Sequence, residues 1–200
     1  MGTAVAPGGP VYVTGGGEFV DEAGKALSMP SSPMTCALPD AAATEALGAG
    51  LGAAIRELAD AIARQGLAVH LQGDLGTGKT TLVRALLREL GVAGAVKSPT
   101  YTLLEPYEVS RLHLYHFDFY RFKTAREFTD GGFAELFGPG GVCLVEWPER
   151  ASGYLPPADL QIRLTTVDAG RDVTLHAHTE IGSTCLQHLQ TTLRLPNAGA

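Results

Sequence analysis

The chain has 200 residues, of which 45% are hydrophobic and 18% are charged, and its formal net charge is −6. This composition is typical of a folded globular protein and excludes a disordered one, and no apolar run is long enough to span a bilayer. The 15 Lys and Arg residues are not densely clustered, whereas direct binding to nucleic acid usually requires a basic surface. A role in nucleic-acid chemistry would therefore be an indirect one, exerted through other proteins.

Residues 1–33 are rich in Gly, Pro and Ser and lack helical or strand periodicity, which predicts a flexible extension that is neither a signal peptide nor a transit peptide. The folded domain is expected over 34–182. The three cysteines, Cys36, Cys143 and Cys185, are widely spaced and form no CxxC motif. They favour a reducing compartment, and we expect a cytoplasmic protein.

A first helix is predicted by apolar residues at helical spacing from Leu47 to Ile62, with Asp40 or Thr44 as its cap and Gly66 as its end. The next predicted elements are a strand over 67–72, a helix over 81–90, strands over 101–107 and 112–122, and a helix over 124–137 that is interrupted by Gly131 and Gly132. A strand over 141–147, an antiparallel pair over 159–164 and 172–178, and a short helix over 184–193 before a loose tail complete the chain. This order predicts an α/β sheet with helices on its faces.

The stretch GDLGTGKTTL, which begins at Gly73, joins the strand over 67–72 to the next helix and contains the complete pattern Gly-x-x-x-x-Gly-Lys-Thr. Glycines in such a loop let backbone N–H groups converge on phosphates, and the helix N-terminus adds its positive dipole end. Lys79 would reach the β- and γ-phosphates, and the Thr80 hydroxyl would bind Mg²⁺. The loop leaves the reaction open, because motors, switches and kinases share it.

Glu146 ends the apolar strand VCLVE, at the sheet edge where a phosphate loop requires a carboxylate for Mg²⁺. The alternative is a surface glutamate that merely follows a strand. Trp147, the single tryptophan, comes next. It either packs near the nucleotide or covers the edge of the sheet.

The stretch HFDFYR holds a second acidic candidate, Asp118, and strand alternation puts His116, Asp118 and Tyr120 on one face. Asp118 would orient a water or assist the metal, or else form a structural ion pair with Arg121. His116 by itself is more typical of a hydrogen-bonded core or surface residue than of a catalyst.

The stretch KSPTYTL presents two hydroxyl groups, those of Ser98 and Thr100, from an extended segment before Pro99 and after it. A switch segment that responds to the bound nucleotide would lie at such a position in the chain. A plain turn from loop to strand is the alternative.

The four stretches GDLGTGKTTL, KSPTYTLLEPY, YHFDFYR and CLVEWPE, in this order and spacing, resemble the TsaE family, and the resemblance runs from about Leu38 to Gly182. It implies a P-loop NTPase-like three-layer sandwich with a mixed, mostly parallel sheet flanked by helices. It also implies binding of ATP and Mg²⁺ and weak intrinsic ATPase activity. The implied partner is the TsaB–TsaD complex, which transfers threonylcarbamoyl to adenosine 37 of tRNA, so that tRNA is engaged only indirectly.

The resemblance carries over to individual positions. Thr80 and Glu146 match the Mg²⁺ ligands, and Asp118 matches an Asp associated with hydrolysis, so that Asp118 and Lys79 are the predicted catalytic residues. The predicted nucleotide-binding residues are Ala41, Gly73, Gly76, Thr77, Gly78, Lys79, Thr80, Thr81, Trp147, Gly170 and Arg171.

Two other functions compete with a slow ATPase. A small P-loop kinase usually has an Arg-rich lid over the phosphates, and after HFDFYR only Arg126 precedes the next strand. A regulatory switch would change its partner affinity on binding ATP, without meaningful turnover.

Overall fold

The computed structural model describes residues 33–109, 112–168 and 170–193, together with four two-residue strands among the first twenty residues. These short strands pair as two antiparallel ladders, Val5–Ala6 with Gly9–Pro10 and Tyr12–Val13 with Phe19–Val20. The rest of the predicted extension up to residue 32, and the predicted tail from residue 194, lie outside the described residues.

A seven-stranded mixed sheet forms the centre of the molecule, in the order β1-β7-β6-β2-β5-β4-β3. Its strands are β1 (Met34–Leu38), β2 (Leu67–Gln72), β3 (Leu104–Val109), β4 (Leu112–Asp118), β5 (Gly141–Glu146), β6 (Leu160–Val167) and β7 (Gly170–Ala177). The four central strands, β6, β2, β5 and β4, pair in parallel, and antiparallel strands extend the sheet on both sides. The α/β fold predicted from the sequence is confirmed.

Five helices accompany the sheet in the described ranges: α1 (Ala41–Glu57), α2 (Ala59–Gln65), α3 (Lys79–Glu89), α4 (Glu127–Asp130) and α5 (Glu180–Leu193). Asp40 caps α1 by accepting from the Ala43 backbone N–H at 2.8 Å. None of the described helices combines the length and the apolar character needed to cross a membrane.

Several predicted elements differ in extent from those of the structure, and the strand expected over 101–107 begins only at Leu104. The first helix breaks at Leu58 into α1 and α2. The helix expected over 124–137 is reduced to α4 and a 3₁₀ turn over Phe133–Leu136, and its expected interruption at Gly131 and Gly132 is confirmed by the left-handed φ of 69° at Gly132. The last helix begins earlier than expected, since the Thr179 hydroxyl accepts from the Gly182 N–H in its first turn.

The two faces of the sheet are covered differently. One face packs its apolar side chains against α1, α3 and α5, with Leu51, Leu86 and Leu189 fully buried between the layers. The opposite face carries a smaller aromatic cluster under α4, in which Phe117 and Phe119 are fully buried. Strand β5 is buried along its whole length because it is covered on both sides, as is typical of a central parallel strand.

Helices α1 and α3 approach each other closely because α1 has glycines where they meet. A Cβ added at Gly48 would lie 2.3 Å from the carbonyl oxygen of Leu82, and one added at Gly52 would lie 2.8 Å from that of Leu86. Only glycine fits such a contact without a shift of the backbone. Since α3 begins at the phosphate loop, the packing of α1 also fixes the position of that loop.

We expect Gly48→Ala to lower the free energy of unfolding by about 1–3 kcal/mol through overpacking, although alanine is intrinsically better in a helix by about 1 kcal/mol. Urea denaturation measures the change. Gly138→Ala is the control, because a Cβ there meets nothing within 4 Å. An unchanged or higher stability of Gly48→Ala would contradict the close packing.

His70 lies on the face of β2 that points away from α1 and α3. Its Nε2 is buried without a hydrogen-bond partner among the described residues. A cleft of about 690 Å³ opens beside it, between Gln161 on β6 and the connection that leads from Pro148 to Ala158. Burial, reinforced by the nearby His178, lowers the pKa of His70 from 6.5 to about 4.

This pKa predicts a loss of stability in mild acid. Between pH 6.5 and about pH 4 the unfolded chain binds a proton at this position that the folded chain does not. The free energy of unfolding should therefore fall as the pH falls, by as much as about 3 kcal/mol over that interval. In urea titrations at several pH values, His70→Gln should reduce this slope, whereas the exposed His113→Gln should not. An equal slope in both variants would argue against His70 as the source.

Candidate nucleotide-binding site

The loop between β2 and α3 has the backbone conformation of a phosphate-binding loop. Gly73, Gly76 and Gly78 have φ values of 138°, 82° and 104°, a region that favours glycine. A Cβ at Gly73 would also lie 2.3 Å from the Leu164 carbonyl oxygen on β6. The positive end of the α3 dipole faces the loop, and the loop therefore suits an anion.

Lys79, the first residue of α3, lies inside this loop and is almost fully buried. Its Nζ donates to the carbonyl oxygens of Gly73 and Asp74 at 2.6 and 2.8 Å and lies 4.1 Å from the centre of the Trp147 ring. Burial lowers the pKa of Lys79, and nearby carboxylates, chiefly that of Glu146, partly offset this effect. Trp147 therefore borders the loop instead of covering a remote edge of the sheet.

Two carboxylates meet at the carboxyl edge of the sheet because Asp118 and Glu146 are register partners at the ends of the parallel strands β4 and β5. Both are almost completely buried. The Thr80 hydroxyl donates to Glu146 Oε1 at 2.8 Å and lies 3.1 Å from Oε2. The sequence predicted that Thr80 and Glu146 would lie together, and this hydrogen bond joins the first turn of α3 to the end of β5.

Asp118 holds the segment that follows α3. Its Oδ2 accepts hydrogen bonds from the hydroxyls of Ser98 and Thr100, the latter at 2.6 Å, and its Oδ1 accepts from the Tyr120 N–H at 2.9 Å. The alternative of an ion pair with Arg121 is not found among the salt bridges of the described residues, and that guanidinium lies over the Tyr101 ring at 4.2 Å. The hydroxyls of Ser98 and Thr100 thus lie at the site.

The expected strand over 112–122 stops at Asp118, because the bond from the Tyr120 N–H turns the chain there. Tyr120 consequently does not share the strand face of His116 and Asp118. It is partly exposed, and its ring lies 5.0 Å from that of Trp147.

Backbone strain is found beside both carboxylates. In the described part of the chain, the non-glycine residues with positive φ are Leu103, at 66°, and Trp147, at 59°. The Leu103 carbonyl accepts from the Asp118 N–H at 3.1 Å, and Trp147 directly follows Glu146. Such strain persists only where the surroundings over-determine the conformation, and it clusters at functional sites.

Of the outer predicted residues, Arg171 reaches the loop. Arg171 Nε donates to the Thr77 carbonyl oxygen at 2.6 Å, and Arg171 pairs with Leu38 across β7 and β1. Gly170, its neighbour in β7, approaches the Leu38 carbonyl so closely that a Cβ would lie 2.5 Å from that oxygen. Ala41, the first residue of α1 and three residues after Leu38, is exposed.

The remaining loop residue, Thr81, lies in the first turn of α3 and is partly buried. A cleft of about 370 Å³ lies beside the loop, lined in part by Gly73, Asp74 and Trp147 and by Arg163 of β6.

The sequence did not assign His116 to the site, yet its Nε2 lies 2.9 Å from Glu146 Oε1. The sequence feature that could have assigned His116 to the site is its position two residues before Asp118, on the same strand face.

The sheet order, the glycine loop at the start of α3 and the two carboxylates at the sheet edge define a P-loop NTPase-like protein, a class that binds nucleotides. Residues 38–173, more than half of the chain, match the family model described as "Threonylcarbamoyl adenosine biosynthesis protein TsaE". The chain belongs to this family.

Relatives and a solved structure agree with this assignment. A protein of Haemophilus influenzae is 44% identical over 57% of this chain and 72% of its own length, and one of Bacillus subtilis is 41% identical over 62% and 78%. Both are named "tRNA threonylcarbamoyladenosine biosynthesis protein TsaE". The crystal structure of YdiB from Bacillus subtilis superposes with a TM-score of 0.64 at 30% identity, covering 82% of this chain and 98% of that one.

Asp118→Ala should release the segment from Lys97 to Leu103, because the hydroxyls of Ser98 and Thr100 lose their shared acceptor. We expect faster amide hydrogen exchange in that segment, read out by mass spectrometry. The free energy of unfolding should fall by about 2–3 kcal/mol, the scale of hydrogen bonds to a charged group. Asp130→Ala is the control, since its pair with Arg126 is exposed and such pairs contribute below about 1 kcal/mol. Unchanged exchange over 97–103 would contradict this anchoring role.

Proposed function

We propose that this chain is a Mg²⁺-dependent, slowly hydrolysing ATPase that supports threonylcarbamoyladenosine modification of tRNA together with the TsaB–TsaD complex. The observation that carries the proposal is the hydrogen bond between Thr80 and Glu146, at 2.8 Å. It joins a loop shaped for phosphates to a buried carboxylate at the sheet edge, which is the pairing that a nucleotide with its metal requires.

The donor set suits Mg²⁺. This ion takes few protein ligands, often one or two carboxylates, and completes its octahedron with waters and substrate phosphates. A threonine hydroxyl and one carboxylate in hydrogen-bond contact match that preference. We propose Thr80 and Glu146 as the residues that would hold the ion, which when bound neutralises charge on the phosphate oxygens.

The remaining residues divide the work of binding and hydrolysis. The backbone N–H groups from Gly73 to Thr81 would cradle the phosphates, and Lys79 would exchange its two carbonyl acceptors for phosphate oxygens. Trp147 and the Arg171 side chain border the loop on two sides. Asp118, whose Oδ1 accepts a single described hydrogen bond, would orient the attacking water.

An accessory role fits the surface and composition of the chain. The family description and the names of the relatives concern threonylcarbamoyladenosine biosynthesis, and the net charge of −6 disfavours direct tRNA binding. We therefore propose that the TsaB–TsaD complex handles the tRNA and that this chain acts on the complex. The three free thiols support the cytoplasm as its compartment.

The decisive experiment is reconstitution of threonylcarbamoyladenosine formation from TsaB–TsaD, tRNA and the threonylcarbamoyl donor, with and without this protein. Repeated turnover should require the protein and ATP. Lys79→Ala should weaken nucleotide binding about 10-fold or more, since charge-assisted hydrogen bonds contribute about 1.5–3 kcal/mol each, and should abolish the stimulation.

Lys123→Ala, which removes an exposed lysine outside the loop, is the matched control. Full product formation without the protein would refute its accessory role. Stoichiometric phosphorylation of a metabolite by the chain alone would instead establish a kinase, and full stimulation by ATP binding without hydrolysis would establish a switch.

A further inference from the structure

His116 lies at the site without a role in the proposed chemistry. It occupies β4 two residues before Asp118, and its side chain is completely buried. Its Nε2 lies 2.9 Å from Glu146 Oε1, on the face of the sheet that carries the larger apolar cluster. Since a carboxylate only accepts hydrogen bonds, Nε2 is the donor.

The contacts of Glu146 are distributed unevenly between its two oxygens. Oε1 lies 2.8 Å from the Thr80 hydroxyl and 2.9 Å from His116 Nε2, whereas the one contact of Oε2 among the described residues is the longer one to Thr80, at 3.1 Å. A carboxylate oxygen offers about two lone pairs. Those of Oε1 are used within the protein, and those of Oε2 remain for a ligand.

The second ring nitrogen of His116, Nδ1, argues against the view that this residue serves only the stability of the fold. His116 Nδ1 is buried and has no hydrogen-bond partner among the described residues. An unsatisfied buried polar atom costs about 1–3 kcal/mol, and an apolar side chain of similar size would avoid that cost beside the neighbouring Leu114 and Leu144. The contact with Glu146 is the feature of this position that an apolar residue would lose.

We propose that His116 is a positioning residue for the metal site: by holding Glu146 Oε1, it directs Oε2 toward the divalent cation that accompanies the nucleotide. This inference rests on the proposed function. Partners that orient a metal ligand typically change metal affinity about 10–100-fold when they are removed.

The test compares three substitutions that differ in the reach of the side chain. His116→Gln puts an amide N–H at about the position of Nε2, His116→Asn puts it near Nδ1 and out of reach of Glu146, and His116→Leu removes the donor. His113→Leu is the control, an exposed histidine on the same strand. Each variant is first checked for folding by circular dichroism.

Metal affinity is measured directly, by electron paramagnetic resonance of Mn²⁺ titrated into the protein with ADP present, and ADP affinity is measured without metal. We expect the Leu and Asn variants to bind Mn²⁺ about 10–100-fold more weakly and Gln to recover to within about 3-fold of wild type. ADP affinity without metal should stay unchanged in all of them.

If the Leu variant does not fold, the comparison of Mn²⁺ affinity between the Gln and Asn variants still tests the inference. Equal Mn²⁺ affinity in these two variants, whether retained or lost, overturns the inference, because a packing role would not depend on the reach of the amide. A wild-type chain that binds Mn²⁺ no better than Glu146→Gln overturns the proposed metal site itself. The two failures are thereby distinguished.

Discussion

The site depends on one constraint, the register of two adjacent parallel strands. Because β4 and β5 pair Asp118 with Glu146, both strands end at the same level and present their carboxylates side by side at one edge of the sheet. β2 ends beside them and leads directly into the glycine loop. A shift of one residue in either strand would turn its carboxylate to the opposite face, toward the aromatic cluster.

The two carboxylates hold different parts of the site in place. Glu146 accepts from the first turn of α3, whereas Asp118 accepts from the segment that contains Ser98 and Thr100. Each is a buried carboxylate that accepts hydrogen bonds from hydroxyl groups, and such bonds offset the cost of keeping a carboxylate away from water. A change in the charge near this edge would therefore affect both α3 and the segment that follows it, because each is hydrogen-bonded directly to one of the two carboxylates.

Local patterns allowed most of the fold and the centre of the site to be predicted. The phosphate loop, the strand that ends at Glu146 and the flanking helices follow from spacing and from glycine chemistry. The end of β4 did not follow, because the Asp118 side chain turns the backbone there. The interruption at Gly131 and Gly132 did follow from the two glycines. The partners of Asp118, and the contact of His116 with Glu146, depend on how the elements pack, which spacing alone does not show.

The left-handed backbone at Trp147 is a conformation that favours glycine, yet a large aromatic residue occupies it. Glycine would adopt this conformation without strain, but it would remove the ring that lies over Lys79 and beside Tyr120. The strain at this position, of about 1–3 kcal/mol, is therefore offset by contacts that a large aromatic side chain makes, because Trp147 also packs against the aromatic cluster. Glycine would relieve the strain and lose this packing, so relief of backbone strain alone does not identify a more heat-stable variant at position 147.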